Sequence, residues 1–226
     1  MRTFLQSKRR AVLATAIALF SGMFAFTAVY AIADEVQEIT ISNQIGADIN
    51  LLFVSPGDSN YWGPDILGSE RVFPAGADLS FYLHYPQACG KFDLLAIDDS
   101  GKSYTIYNQE VCDSEPAATA FTAENRNPEE DRELNFAQLS FSNELGMPIH
   151  FLFISPSDSD MWGADFLDAT STMDAGSTVT FLAPIYQEAV RYNVLAVDEN
   201  GDHYAFNIDV QGDGARSYPI ELSDKQ

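Results

Sequence analysis

Hydrophobic and polar residues alternate with a period of two in several short segments of this chain. Ile49, Leu51 and Phe53 form one such run, and Leu79 and Phe81 belong to another. Alternation of this kind predicts a β-strand with one face against a core. The segment 92–97 is apolar at both odd and even positions, which predicts a strand covered on both faces. We predict seven short strands in the first half of the chain, near 38–43, 48–55, 70–74, 78–84, 92–98, 103–111 and 118–124.

The same pattern returns one hundred residues later without a gap. The segment 41–68 (ISNQIGADINLLFVSPGDSNYWGPDILG) matches 141–168 (FSNELGMPIHFLFISPSDSDMWGADFLD). A repeat at a fixed period indicates an internal duplication. Seven strands in each copy predict an all-β fold of two tandem immunoglobulin-like β-sandwich domains, with a barrel as the alternative. We expect domains at 38–125 and 136–223 that are separate globular units, joined by a solvated acidic linker over 126–135.

The first 33 residues have the composition of an export signal. Four basic residues precede an uncharged apolar run over 11–33 that ends in Ala31-Ile32-Ala33. We predict a signal peptide over 1–33, with an uncleaved anchor as the alternative, and a periplasmic or secreted protein. Both general secretion and the twin-arginine route fit the basic segment. A lipoprotein is excluded because the signal contains no cysteine, and we expect no membrane contact beyond the signal.

The charge of the chain restricts its partners. The 12 Lys and Arg include four in the signal, which leaves 8 against 33 Asp and Glu, a net charge near −25. Such a chain repels nucleic acid and anionic lipid surfaces. The expected partner is therefore a protein or a carbohydrate of unknown identity.

The two cysteines lie on either side of a predicted hairpin turn over 98–103. If Asp98 pairs with Ser103, every cross-strand pair in this hairpin sums to 201, and so do Cys89 and Cys112. The two cysteines would then lie opposite each other, at a separation that allows a disulfide in an exported protein. The second copy has Ala189 and Gly212 instead, so the fold does not require this bond.

The strongest repeated motif is Ser-Pro-x-Asp-Ser-x-x-Trp-Gly-x-Asp-x-Leu, at 55–67 and 155–167. It supports three interpretations. The tryptophans could plug the open end of a sandwich, or an aromatic ligand platform could form at Tyr61, Trp62, Met161 and Trp162. The third interpretation is a calcium site, the one cofactor that the motif suggests, with Asp58, Asp65, Asp158, Asp160 and Asp165 as candidate ligands.

Catalytic motifs are missing from the sequence. It has no Gly-x-Ser-x-Gly, no His-Glu-x-x-His and no phosphate-binding glycine loop, and its three histidines occupy unmatched places in the two copies. We therefore expect a protein that is not an enzyme. A hydrolase that uses carboxylates in the acidic loops is retained as an alternative, as is a calcium-dependent module.

The motif resembles that of a group of uncharacterised small exported bacterial β-sandwich repeat domains. The resemblance rests on Asn43 and Gly46, on 55–67 with its Ser-Pro-x-x-Ser-x-x-Trp-Gly-x-Asp-x-Leu segment, and on 98–101, with their counterparts in the second copy. It implies an extracytoplasmic bacterial protein and supplies no activity. The expected function is that of a binding or structural module.

Overall fold

The computed structural model describes residues 36–69, 71–113, 116–131 and 134–226. In these ranges the chain is all-β, with thirteen strands and three short 3-10 helices. The predicted signal peptide over 1–33 lies outside the described residues. Across the ranges that are described, none of the helices is long and apolar enough to cross a membrane.

Each half of the chain contributes six strands of similar position, and the second half has one additional short strand. The first half contains β1 (Val36–Gln44), β2 (Ile49–Pro56), β3 (Asp78–His84), β4 (Cys89–Asp98), β5 (Ser103–Cys112) and β6 (Ala117–Thr122). The second half contains β7 (Phe136–Asn143), β8 (Ile149–Pro156), β9 (Gly163–Ala164), β10 (Thr178–Pro184), β11 (Val190–Asp198), β12 (His203–Val210) and β13 (Gly214–Ile220). The 3-10 helices are Ala123–Asn125, Pro128–Glu130 and Leu222–Asp224.

The strands pair in the same order in both halves. Strand β1 lies between β3, which is antiparallel to it, and β6, which is parallel to it. Strand β4 lies between β2 and β5, and both of these pairings are antiparallel. In the second half β7 lies between β10 and β13, and β11 lies between β8 and β12, with the same directions.

One predicted strand is not formed. The segment 70–74 was expected to be a strand, but its described residues make only an isolated bridge between Phe73 and Ile49, in which each backbone N–H donates to the other carbonyl at 2.9 Å. Phe73 is buried and its neighbour Val72 is half exposed. The described part of this segment is therefore anchored by the Phe73 side chain and this bridge, and by the Arg71 side chain, without a ladder of hydrogen bonds.

The acidic segment 126–135, predicted to be solvated, is ordered against β5 where it is described. The Asn127 N–H donates to the Ser103 carbonyl at 2.9 Å, and the Ser103 N–H donates to the Asp131 carboxylate at 2.8 Å. Arg126 forms an ion pair with Asp131. Leu134 packs on the outer face of the β2–β4 sheet. This segment therefore covers part of the first half.

The two halves exchange backbone hydrogen bonds through the repeated motif. Strand β9 of the second half pairs with β3 of the first, and the Asp165 N–H donates to the Tyr82 carbonyl at 2.7 Å. Reciprocally, the Asp65 N–H donates to the Leu182 carbonyl of β10 at 2.8 Å. Each motif also bridges β2 or β8 of its own half, at Phe53 and Phe153. A backbone segment of each half is thereby joined to a sheet of the other.

One hydrophobic core includes residues from both halves. It combines the inward faces of β1 to β4, such as Ile39 and Leu94, with those of β7 to β11, such as Leu139 and Val194. The expectation of two separate globular units is wrong on this point, because the repeated motifs connect the halves and the core is continuous. Two smaller clusters lie outside it, around Phe53 and around Phe153.

The predicted disulfide between Cys89 and Cys112 is present, with a Cα–Cα distance of 4.0 Å. The register used to predict it is wrong near the turn, where Ile97 and not Asp98 pairs with Ser103. An irregularity between Phe92 and Leu94 shifts the pairing by one residue, after which Cys89 lies opposite Cys112. The pairing is one residue away from the predicted register at the turn and returns to that register at the irregularity, so the cysteine pair is predicted correctly.

Candidate functional site

The aspartates of the repeated motif at 65 and 165 satisfy backbone groups. The Asp65 carboxylate accepts the N–H groups of Leu52 and Leu67, at 2.8 and 3.1 Å, and Asp165 accepts those of Leu152 and Leu167. Burial raises the pKa of each of these carboxyls to about 7, although the backbone donors act in the opposite direction. Both aspartates therefore serve the fold.

Asp58 and Asp158 connect the two motifs to each other. The Ser159 hydroxyl donates to Asp58 at 2.7 Å, and the Ser59 hydroxyl donates to Asp158 at 2.8 Å. The Asn60 N–H also donates to Asp158. These reciprocal bonds fix the segment around residue 59 against the second half.

The five aspartates proposed as calcium ligands are not brought together. Asp65 and Asp165 are buried, whereas Asp58, Asp158 and Asp160 are exposed. Over the residues that the structure describes, no group of three or more His, Cys, Asp or Glu side chains could hold a metal ion.

The four residues predicted to form an aromatic platform lie in two different surroundings. The Trp162 side chain packs beside the small cluster of Phe153, Leu195 and Val197, and the Trp162 backbone N–H donates to the His84 carbonyl at 3.2 Å. Met161 packs against the main core. Trp62 lies in the other small cluster, around Phe53, and is half-buried.

The backbone of Trp62 is held from both sides by tyrosines of the second half. The Trp62 N–H donates to the hydroxyl of Tyr186 at 2.7 Å, and the hydroxyl of Tyr192 donates to the Trp62 carbonyl at 3.2 Å. The preceding Tyr61 packs edge to face against the Tyr186 ring, with centroids 5.0 Å apart. Its hydroxyl donates to Glu188 at 2.7 Å. These contacts fix the backbone at Tyr61 and Trp62.

A groove of about 210 Å³ lies beside Trp62. Four aromatic side chains line it, together with two carboxylates and three smaller polar residues: Tyr61, Trp62, Tyr107, Tyr186, Asp93, Glu130, Ser55, Ser59 and Asn60. The rings of Trp62 and Tyr107 lie 6.5 Å apart between centroids, at 30° between their planes. We call this the Trp62 groove.

A β-bulge on β5 places Tyr107 in the Trp62 groove. Phe92 pairs with Gln109 and Leu94 with Ile106, so Tyr107 and Asn108 together lie opposite Asp93. Asn108 adopts a φ of 55°, in the left-handed region, and its N–H donates to the Asp93 carboxylate at 2.7 Å. Bulges bend a strand and redirect its side chains, and they occur often beside functional sites.

Burial perturbs the acidic and phenolic groups of the Trp62 groove. It raises the pKa of Asp93, although the Asn108 N–H stabilises the charged form. It also raises the pKa of Tyr107, to which the nearby charges of Glu130 and Asp93 contribute in the same direction. The hydrogen bond to Glu188 raises the pKa of Tyr61. Burial is therefore the main cause of the raised pKa at Asp93 and Tyr107, whereas a neighbouring carboxylate is the main cause at Tyr61.

The second half lacks most residues of this arrangement. Its ladder between β11 and β12 is regular, with Asn193 opposite Asn207 where the first half has Asp93 and Tyr107. Met161 replaces Tyr61, and the position equivalent to Tyr186 is Pro86. The repeated motif predicted Tyr61 and Trp62 but not Asp93, Tyr107, Glu130 and Tyr186, because these four residues are not repeated in the other copy. The signal that could have found them is the difference between the copies.

A second, larger groove of about 380 Å³ lies beside Arg71, lined by residues such as Gly68, Phe166 and Thr180. The Arg71 guanidinium already donates to the carbonyls of Ile66 and Leu67 and to Asp168. The positive charge of Arg71 is therefore already paired with Asp168 and stabilises the fold. The Trp62 groove has the stronger combination of aromatic and charged groups.

No protein-family model and no curated protein match the chain. Among solved structures, a putative adhesin from Bacteroides ovatus aligns with a TM-score of 0.24 and 7% sequence identity. The alignment covers 91% of this chain and 98% of that chain. A similarity this low carries no argument about the present protein.

Proposed function

We propose that this protein is an exported bacterial binding protein, that it is not an enzyme, and that its ligand occupies the Trp62 groove. The observation that carries the proposal is the fixed position of Trp62. Two tyrosines of the second half hold its backbone, while a bulge of the first half brings Tyr107 to its ring. Rigid aromatic side chains in a preformed groove bind ligands at low entropic cost.

The proposal includes the origin and location of the chain. The equal strand order of the two halves supports a tandem duplication of an immunoglobulin-like unit. The disulfide supports an oxidising compartment, and the signal peptide over 1–33 would deliver the chain to the periplasm or the exterior. In this proposal the second half acts mainly as a support for the binding segment of the first.

The two tryptophans of the chain allow a direct test of binding at the groove. In W162F the only tryptophan is Trp62, and in W62F it is Trp162. We expect at least one small molecule from a panel of monosaccharides, amino acids and alkylammonium salts to change the fluorescence of W162F with saturation. The same compound should leave the fluorescence of W62F unchanged. If both variants respond alike, or neither responds to any compound, the groove is not the binding site.

The carboxylate-based hydrolase is retained as the second candidate, because Asp93 and Glu130 line the same groove. Glycoside hydrolysis needs one carboxyl group as the acid and a second as the nucleophile or base. Asp93 accepts a backbone N–H, which argues for a positioned and structural carboxylate. Release of p-nitrophenol from p-nitrophenyl glycosides, lost in both D93N and E130Q, would favour the hydrolase over the binding protein.

A further inference from the structure

The Trp62 groove adjoins a second groove, of about 440 Å³, at the tyrosines that flank Trp62. Tyr61, Tyr186, Gln187 and Glu188 line this second groove, so that Tyr61 and Tyr186 border both. Gln187 and Glu188 are exposed. We call it the Gln187 groove. A ligand longer than the Trp62 groove can therefore continue past Tyr61 into the Gln187 groove.

The Trp62 groove presents two aromatic faces in fixed positions. The planes of the Trp62 and Tyr107 rings are inclined by only 30°, with centroids 6.5 Å apart. Tyr107 is 49% exposed and Trp62 is half-buried, so both rings are accessible in part. The C–H groups on the face of a pyranose ring are apolar and pack on aromatic faces of this kind. The two rings therefore suit a sugar better than a ligand without an apolar face.

Polar side chains of the Trp62 groove are held in place by hydrogen bonds within the protein. Asp93 accepts the Asn108 N–H at 2.7 Å, and the Asn60 side-chain nitrogen donates to Asp158 at 3.2 Å. A carboxylate has about four lone-pair sites, so Asp93 can accept further hydrogen bonds from hydroxyl groups of a ligand. Recognition of hydroxyl groups in this way does not depend on the net charge of the groove.

A protein partner fits this surface less well than a sugar. Stable protein interfaces bury about 1,200–2,000 Å² of surface around an apolar centre. Exposed large apolar side chains among the described residues are Val72, Tyr107 and Leu222, of which only Tyr107 lines one of the two grooves. Concave sites lined by aromatic rings and a few polar groups instead suit small or narrow ligands. The net charge of −21 disfavours an anionic one.

We propose that the Trp62 groove and the Gln187 groove together bind a neutral oligosaccharide. One sugar ring packs on Trp62 and Tyr107 and donates a hydroxyl hydrogen bond to Asp93. The next ring continues past Tyr61 and contacts Gln187. This inference rests on the proposed function, because it names the ligand class of the same site.

The experiment uses the fluorescence of Trp62 in the purified W162F protein. It compares glucose, xylose and N-acetylglucosamine with cellotriose, xylotriose and triacetylchitotriose. We expect a saturable response to at least one trisaccharide, with an affinity at least tenfold higher than that of its monosaccharide, because only the longer ligand reaches the Gln187 groove. Added sodium chloride should hardly change this affinity, since the ligand is neutral. A trisaccharide that binds no more tightly than its monosaccharide would overturn the inference.

Three substitutions in the W162F protein assign the contacts. Y107A should weaken the binding of monosaccharide and trisaccharide alike, at least tenfold. Q187A should weaken the binding of the trisaccharide at least fivefold, and that of the monosaccharide by less. D93N should weaken both at least fivefold, although its amide oxygen still accepts the Asn108 N–H.

The control for D93N is D213N, which removes the same charge from an exposed position. Near-ultraviolet circular dichroism checks that each variant is folded. Equal effects of D93N and D213N, or full affinity in Y107A, would contradict the assigned contacts and overturn the inference.

An array of immobilised glycans then distinguishes a sugar at the end of an attached glycan from a soluble oligosaccharide. Binding to an immobilised glycoprotein that survives enzymatic removal of its glycans would favour a protein partner and overturn the inference. The same holds if no saccharide binds in either format while an amino acid or an alkylammonium salt saturates the W162F response, but the Trp62 groove then remains a binding site. A W162F protein that responds to no compound of any class would overturn the proposed function as well.

Discussion

The buried aspartates at 65 and 165 make the stability of this protein depend on pH. Their pKa is about 7 in the folded chain, because burial disfavours the charged form, against about 4 when unfolded. The folded state therefore holds more protons between these values, so the free energy of unfolding should fall as the pH rises from about 4 to about 7. The change is on the order of 4 kcal/mol per carboxyl group. Urea unfolding between pH 4 and pH 8 measures it.

The variant D65N should reduce this pH dependence by about half, since one of two such carboxyl groups is removed. Its amide oxygen still accepts the N–H groups of Leu52 and Leu67. D160N removes the same charge from an exposed position and is the control for the effect of net charge. If D65N and D160N changed the dependence equally, burial of Asp65 would not be its cause.

At single positions the sequence showed which residues matter in the repeated motif, but not which residues they contact in the fold. Trp62 and Trp162 have the same motif, yet only Trp62 lies in a groove with Tyr107 and Tyr186. Local pattern cannot show this, because Tyr186 is brought from the other half of the chain by the fold. Asp65 and Asp165 appeared as calcium ligands for the same reason, since their backbone partners on β2 and β8 are not visible in the motif.

In the hairpin of β4 and β5 the strands and the disulfide are predicted correctly, although the predicted register near the turn is wrong. The strands near 92–98 and 103–111 and the turn over 98–103 are predicted from the sequence, while the bulge at Tyr107 and Asn108 has no clear signature in it. Without a bulge, the observed pairing of Ile97 with Ser103 would not bring Cys112 opposite Cys89. The bulge thus serves both the disulfide and the position of Tyr107.

Deletion of Asn108 tests the role of the bulge. The ladder should become regular, as it is between β11 and β12, and Cys112 should remain opposite Cys89. We expect a folded, disulfide-bonded protein in which ligand binding at Trp62 is weakened at least tenfold, because the strand no longer bends Tyr107 towards the groove. Thiol titration and Trp62 fluorescence measure the two outcomes. Unchanged binding would show that the bulge serves the disulfide alone. The substitution N108G keeps the extra residue and its left-handed φ, and is the control for loss of the Asn108 side chain.

For the molecule as a whole, the contacts between the halves predict that neither half is stable alone. Each motif donates a backbone N–H to a strand of the other half, and Asp58 and Asp158 accept from Ser159 and Ser59. Separation would expose part of a shared core and leave these groups without their partners. The sequence alone favoured two independent units, because a repeat of about 85 to 90 residues is long enough to bury a core by itself.

Expression of residues 34–131 and 134–226 as separate chains is the decisive measurement. We expect each chain alone to lack a cooperative unfolding transition, and an equimolar mixture to recover one together with the near-ultraviolet circular dichroism of the intact protein. The intact protein should unfold in a single transition, which reduction of the Cys89–Cys112 disulfide shifts as a whole, by roughly 3 kcal/mol for a loop of this length. Two transitions, of which reduction shifts only one, would show instead that the halves are energetically independent. In that case the tyrosines of the second half could not be what holds Trp62 in place.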